Sequence, residues 1–278
     1  MPLRDHAFEQ HEEEPRPNWF FRFRVTLLLI VLGGVLAYAY VDRRQRESRR
    51  SWERTLRVAV ILVEQAPLEP GTSSALAARI DPLEAQLEVE MRRYLPAGPK
   101  PFEIALLGPI VSNDVAPAPP EGGELVEVAK YQWALRQWVN GIDEAGKLPT
   151  RGFDSRVYLV ARPPTDARRK QVEGTSEAGG RVGVVSVELD ATMADLALFV
   201  ATHELFHTLG ATERYAPDGS VLIPDGLGDP RQEPLYPQRR AEVMARHRAL
   251  SPTQSKPPTR LDELAVGAVT AREIGWLR

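Results

Sequence analysis

Residues 201–215 read ATHELFHTLGATERY. Two of the chain's five histidines fall here, four positions apart, with a glutamate directly after the first. On a helix, positions i and i+4 share a face with Cβ atoms ~5–6 Å apart. Two imidazoles at that spacing converge on one divalent ion at ~2.0–2.1 Å each. Glu204 lies about 100° further round the helix than His203, so it flanks the ion and reaches a water there. A water so held is acidified toward pKa ~7, and Glu204 is placed to take its proton and hand it to a leaving amine. Chance alone puts the HExxH pattern in a chain of this size on the order of one time in a hundred. The bland alternative, a helix that merely carries two histidines, is therefore the weaker reading.

Two imidazoles and a water leave room for a third protein ligand. Were the helix to continue past His207, position 213 would lie ~15 Å along the axis from position 203. Gly210 ends the helix in a left-handed conformation at little cost, and the doubled-back chain brings a side chain three residues on toward the ion. His247, Asp225 and Glu242 are other candidates of the right chemistry.

The pattern HELFHTLGATE (203–213) resembles the metzincin metallopeptidases, whose motif is HExxHxxGxxH or the same motif ending in aspartate, the last residue being a ligand. The match is at His203, Glu204, His207 and Gly210, and it puts Glu213 at the last ligand position. The resemblance implies a zinc ion held by His203, His207 and Glu213, with Glu204 as the catalytic base. Glutamate is the departure, and its longer arm changes the reach of that ligand. The clan also places a methionine turn beneath its metal, and AEVMARH (241–247) supplies Met244. The tyrosine that some members carry soon after that methionine is absent, with Tyr215 and Tyr236 as available substitutes. TAREIGWL (270–277) reads as a closing helix, with Thr270 and Glu273 spaced as a capping box.

Outward from the motif, the chain alternates strand and helix signals. Short apolar, β-branched runs at 57–63, 102–108, 156–161 and 181–189 read as four strands. A helix start at Asp81-Pro82 leads to about residue 95, and 124–140 is helical. The motif helix runs from about Thr192 to Leu209, with Asp190 or Thr192 as its cap. A polar, glycine-rich loop covers 163–181. Gly179-Gly180 lacks the phosphate-loop pattern and precedes a strand, so no nucleotide site follows from it. This order specifies an α/β domain, a mixed sheet with packed helices. With the resemblance, the expectation is a metzincin-like zincin domain over 56–278, in which strand 182–189 forms the edge beside the metal and pairs with an extended peptide. Asp218, Asp225 and Asp229 fit no calcium-loop spacing and read as surface turns.

The N-terminal part has another character. Residues 1–18 are polar and read as a disordered tail. Val25 to Val41 holds seventeen residues without a charge, spanning about 25 Å, enough for a bilayer core. Trp19, Phe20, Phe21 and Phe23 at one end, and Tyr38 and Tyr40 at the other, suit two membrane interfaces. A transmembrane helix over 19–42 and a basic linker over 43–55 follow. Seven arginines between 43 and 57 lean toward a cytoplasmic domain by the positive-inside rule. A signal-anchor reading places the domain on the other side, so the side stays open.

The 278 residues contain no cysteine, which excludes disulfides, thiolate ligands and thiol nucleophiles. A net charge of −3 gives no bulk attraction to nucleic acid. The expectation is a membrane-anchored zinc peptidase acting on a peptide or protein. Its rivals are a zinc-stabilised binding module without activity and a metal hydrolase of a non-peptide amide.

Overall fold

The computed structural model describes residues 19–120, 122–165, 180–278 and the backbone of 172–176. The tail read over 1–18 lies outside the described residues, as do 166–171 and 177–179 of the loop read over 163–181.

The chain divides into a unit up to Gln45 and a unit from Arg46 to Arg278. In the first, helix α1 (Trp19–Arg50) begins; it is long and apolar enough to cross a membrane, and none of its apolar window is buried against protein. The helix continues into the second unit, where Arg49 is buried and donates to the Gly180 carbonyl at 2.6 Å.

The second unit is built on a five-stranded sheet. Its strands are β1 (Leu56–Glu64), β2 (Phe102–Val111), β3 (Ser155–Arg162), β4 (Val172–Ser176) and β5 (Val182–Glu188), in the order β2-β1-β3-β5-β4. All pairs are parallel except β4 with β5. The interior strand β1 is buried on both faces, which is why it reads as an unbroken apolar run rather than an alternation. One face carries α2 (Thr72–Arg92) and α4 (Ala194–Thr208). Leu76, Leu83, Leu87, Leu198, Leu205 and Phe206 pack there on Val58, Val60, Leu62, Val157, Leu159 and Val185. The other face carries α3 (Leu125–Gly146), whose Leu135, Trp138, Val139 and Ile142 pack on Ala59, Ile61, Tyr158, Val160 and Val184. Each such side chain contributes about 1.5–3 kcal/mol relative to exposure. Beyond α4 the chain is mostly loop, pinned by two-residue pairings of β6 (Ala241–Glu242) with β9 (Leu264–Ala265) and of β7 (Arg248–Ala249) with β8 (Ser255–Lys256). Helix α5 (Ala268–Glu273) closes the chain.

Three expectations are corrected. Strand β5 is not the edge: β4, from the stretch read as loop, pairs with it antiparallel and takes the edge position. Helix α2 starts at Thr72, ten residues before Pro82, which sits inside it. Pro82 is exposed, so its missing N–H bond falls on the solvent side, while buried Leu76, Ile80, Leu83 and Leu87 hold the helix together across it. The capping box at Thr270 and Glu273 does not form, because α5 already begins at Ala268 and both side chains are engaged elsewhere.

Candidate metal centre

Strand β5 delivers the chain to α4 through a short 3-10 turn at Ala191–Met193. Asp190 caps that turn by accepting from the Thr192 N–H at 2.7 Å. Helix α4 then runs back along the sheet with almost every side chain buried. It lies close to β5 because residue 183 is glycine: a Cβ there would stand 3.0 Å from the Glu204 Cβ. The helix ends as its sequence requires. Gly210 has φ +95. Its N–H donates to the His207 carbonyl at 2.9 Å, and the Ala211 N–H donates to the Phe206 carbonyl at 3.0 Å. These are the two bonds of a Schellman cap.

The reversal brings three side chains to one point. The Nε2 atoms of His203 and His207 are 3.1 Å apart. The Glu213 Oε1 is 3.0 Å from the His207 Nε2, and its Oε2 is 3.4 Å from the His203 Nε2. Glu204 stands beside them, its Oε1 3.8 Å from the His203 Nε2. The Glu204 side chain is buried, and its Oε2 has no hydrogen-bond partner among the described residues.

The backbone fixes which ring nitrogen carries the proton. The His203 Nδ1 is 3.0 Å from the Val243 carbonyl, and the His207 Nδ1 is 2.9 Å from the Ala211 carbonyl. A carbonyl only accepts, so each Nδ1 donates, and in the neutral ring each Nε2 presents a lone pair. Two lone pairs and a carboxylate facing one another within 3.4 Å repel unless a metal ion or an added proton lies between them. Tetrahedral zinc with arms of about 2.0–2.1 Å sets its ligand atoms about 3.3 Å apart. The donors and their spacing therefore fit zinc. Absent that ion, burial pushes the His207 imidazole down, but Glu213 and Glu204 outweigh it and raise it above its ordinary value. Burial likewise pushes Glu213 up, and the two histidines hold it well below the usual carboxylate range.

No family model and no curated protein matches this sequence. Among solved structures, the archaemetzincin of Methanopyrus kandleri is similar over 61% of this chain and 80% of its own, at 17% identity and a TM-score of 0.32. A likeness at that score leaves the chemistry to be argued from the residues.

The rival ligands fall elsewhere. Glu242 is fully buried, but its Oε2 accepts from the Met244 and Ala245 N–H groups at 2.6 and 3.0 Å. Its Oε1 accepts from the Thr270 hydroxyl at 2.7 Å and the Gly267 N–H at 3.2 Å. Burial still pushes its carboxyl up to about 7 against these four donors. Glu242 thus braces the turn that holds Met244 and offers Val243 to His203. Asp225 is exposed, and burial pushes the half-buried His247 imidazole down. Asp218 and Asp229 make side-chain turns onto Ser220 and Arg231, as surface residues do. Tyr215 stacks on His203, ring centroids 6.4 Å apart.

Sequence reasoning missed a clamp on the returning chain. Glu273 of α5 accepts from the Thr212 N–H at 3.0 Å and the Thr212 hydroxyl at 2.8 Å, and pairs with Arg214 at 2.7 Å. It thereby grips both neighbours of Glu213. The partners are 61 residues apart in sequence, and no local spacing announces them.

Proposed function

We propose that this chain is a membrane-anchored, zinc-dependent peptidase of metzincin type. The observation that carries the reading is the convergence of the His203 and His207 Nε2 atoms and the Glu213 carboxylate, beside a buried Glu204 oxygen with no partner. A structural metal site has no use for that fourth group and closes with four protein ligands. When bound, zinc supplies Lewis-acid chemistry, polarising the scissile carbonyl and acidifying a water. The Val243 and Ala211 carbonyls hold the two imidazoles with Nε2 inward. Glu204 accepts the water's proton at Oε2 and returns it to the departing amine. Strand β4 is the sheet edge among the described residues, and an extended peptide pairing with it is aligned beside the site. Met244 is buried in the turn at Val243–Ala245, whose Val243 carbonyl meets the His203 Nδ1, so it stands where the clan carries its methionine turn. Helix α1 is the anchor, with 19–42 in the bilayer and 56–278 as the catalytic domain.

The test uses the full chain in detergent, with zinc counted per protein and denatured casein as substrate. Wild type holds one zinc and cleaves. Glu204→Gln holds the same zinc and loses about 10²–10⁴ in rate. Unchanged turnover in Glu204→Gln, or wild type without stoichiometric zinc, removes the proposal. Stoichiometric zinc with no cleavage of any peptide supports the binding module instead.

A further inference from the structure

The connections of the sheet create a second crevice far from the metal centre. The chain leaves β1 toward β2 on one side and leaves β3 toward β5 on the other. In an open parallel sheet, neighbouring strands whose connections part in this way leave a gap at their carboxyl ends, and ligands settle there. A cavity of about 310 Å³ occupies that place. Gln65 follows β1, Arg162 ends β3, and Ser186 and Glu188 end β5; Val115 and Ala116 of the loop after β2 complete the wall. Gln65, Val160, Arg162, Ser186 and Glu188 share the parity of Ile61, Tyr158 and Val184, so the cavity opens on the α3 face. The metal helix packs on the opposite face and touches β5 at Gly183, five residues from Glu188, or about 17 Å along the strand.

One polar group in the wall is incomplete. Glu188 is 3% exposed. Its Oε1 accepts from the Thr165 hydroxyl at 2.7 Å and lies 3.5 Å from the Arg162 guanidinium. Its Oε2 is buried with no hydrogen-bond partner among the described residues. A buried carboxylate oxygen left without a donor costs about 1–3 kcal/mol or more, a cost that a donor on a bound molecule would relieve once the side chain turned its Oε2 toward the cavity. A cation suits an anionic acceptor, and Arg162 beside it suits a carboxylate or carbonyl. Val115, Ala116 and Val160 form an apolar wall.

We propose that this crevice binds the α-ammonium group of a small apolar amino acid or of a short peptide's first residue. The ammonium donates to the Glu188 Oε2, the side chain lies on Val115, Ala116 and Val160, and the adjoining carboxylate or carbonyl faces Arg162. The site is independent of the metal centre and of the peptidase reading.

The experiment is calorimetric titration of the full chain in detergent with leucine, the dipeptide Leu-Gly and N-acetyl-leucine. Leucine or Leu-Gly binds wild type, N-acetyl-leucine does not, and Glu188→Gln weakens binding by about tenfold or more. Tighter binding of Leu-Gly assigns a peptide terminus, and tighter binding of leucine assigns a free amino acid. Ser186→Phe fills the cavity from an exposed position and keeps the Glu188 carboxyl, and it too abolishes binding while zinc content stays that of wild type. Heat from neither leucine nor Leu-Gly, equal binding of N-acetyl-leucine, or unchanged binding in both variants overturns the proposal and leaves a crevice that holds water alone.

Discussion

Replacing Glu273 with alanine frees the segment that carries Glu213 while leaving every group around the metal site intact. Three contacts are lost: two to Thr212 at 3.0 and 2.8 Å and the Arg214 ion pair at 2.7 Å. The Arg214 side chain is only 10% exposed and that of Glu273 26%, so the pair is mostly shielded, with its carboxylate end partly in water. Breaking a fully buried pair costs about 3–5 kcal/mol. Discounted for the exposed carboxylate, and for the contacts Arg214 keeps to the Thr212 hydroxyl and Glu213 carbonyl, roughly 2 kcal/mol remains. If that energy holds Glu213 in place, zinc affinity falls about thirtyfold, within the 10–100-fold range for groups that orient ligands. The assay is chelator competition on the full chain, with thermal unfolding of the metal-free protein as control. Glu273→Gln keeps one acceptor and loses less. Zinc affinity within about twofold of wild type in Glu273→Ala, with wild type binding stoichiometrically, refutes the positioning role and leaves the metal site standing.

Other outcomes follow from the same geometry. Gly183→Ala puts a methyl 3.0 Å from the Glu204 Cβ and 3.6 Å from its carbonyl, atoms that cannot rotate away. It should cost about 1–3 kcal/mol in thermal unfolding and lower kcat more than zinc content; full stability would show that β5 and α4 adjust freely. The Glu242 carboxyl is raised in the fold, so its contribution to stability is complete below the ordinary carboxylate range and is lost as pH rises through about 7. Between about pH 6 and pH 8 wild type should lose roughly 1 kcal/mol more stability than Glu242→Gln. Parallel slopes of unfolding free energy against pH would contradict that.

The elements legible in the sequence are those whose cause is local. The β1, β3 and β5 runs are apolar because these parallel strands are covered on both faces, whereas edge strand β2 is covered less and is recognisable by its apolar run alone. The α4 helix, its Gly210 stop and its paired histidines are likewise written in adjacent residues. Strand β4 was hidden: VEGTS carries a glycine and little apolar bulk, and antiparallel pairing to β5 defines it. Pro82 misled in the opposite way, since buried leucines on both sides of it outweigh one missing hydrogen bond. Most of the supporting shell was invisible. The Val243 and Ala211 carbonyls have no residue signature, and Glu273 acts across the fold on a loop it does not adjoin.

His203, His207 and Glu213 all lie within one eleven-residue segment. Such a segment emerges from the ribosome as a unit, and short-range contacts form long before distant ones. An ion captured by this piece of chain would lower the cost of the reversal at Gly210 and hand later-arriving residues a ready-made template. The buttress from 242–245 and the grip of Glu273 would then lock a turn that already exists. On the zinc reading proposed above, metal supply during synthesis, rather than after it, would govern how much of this protein matures.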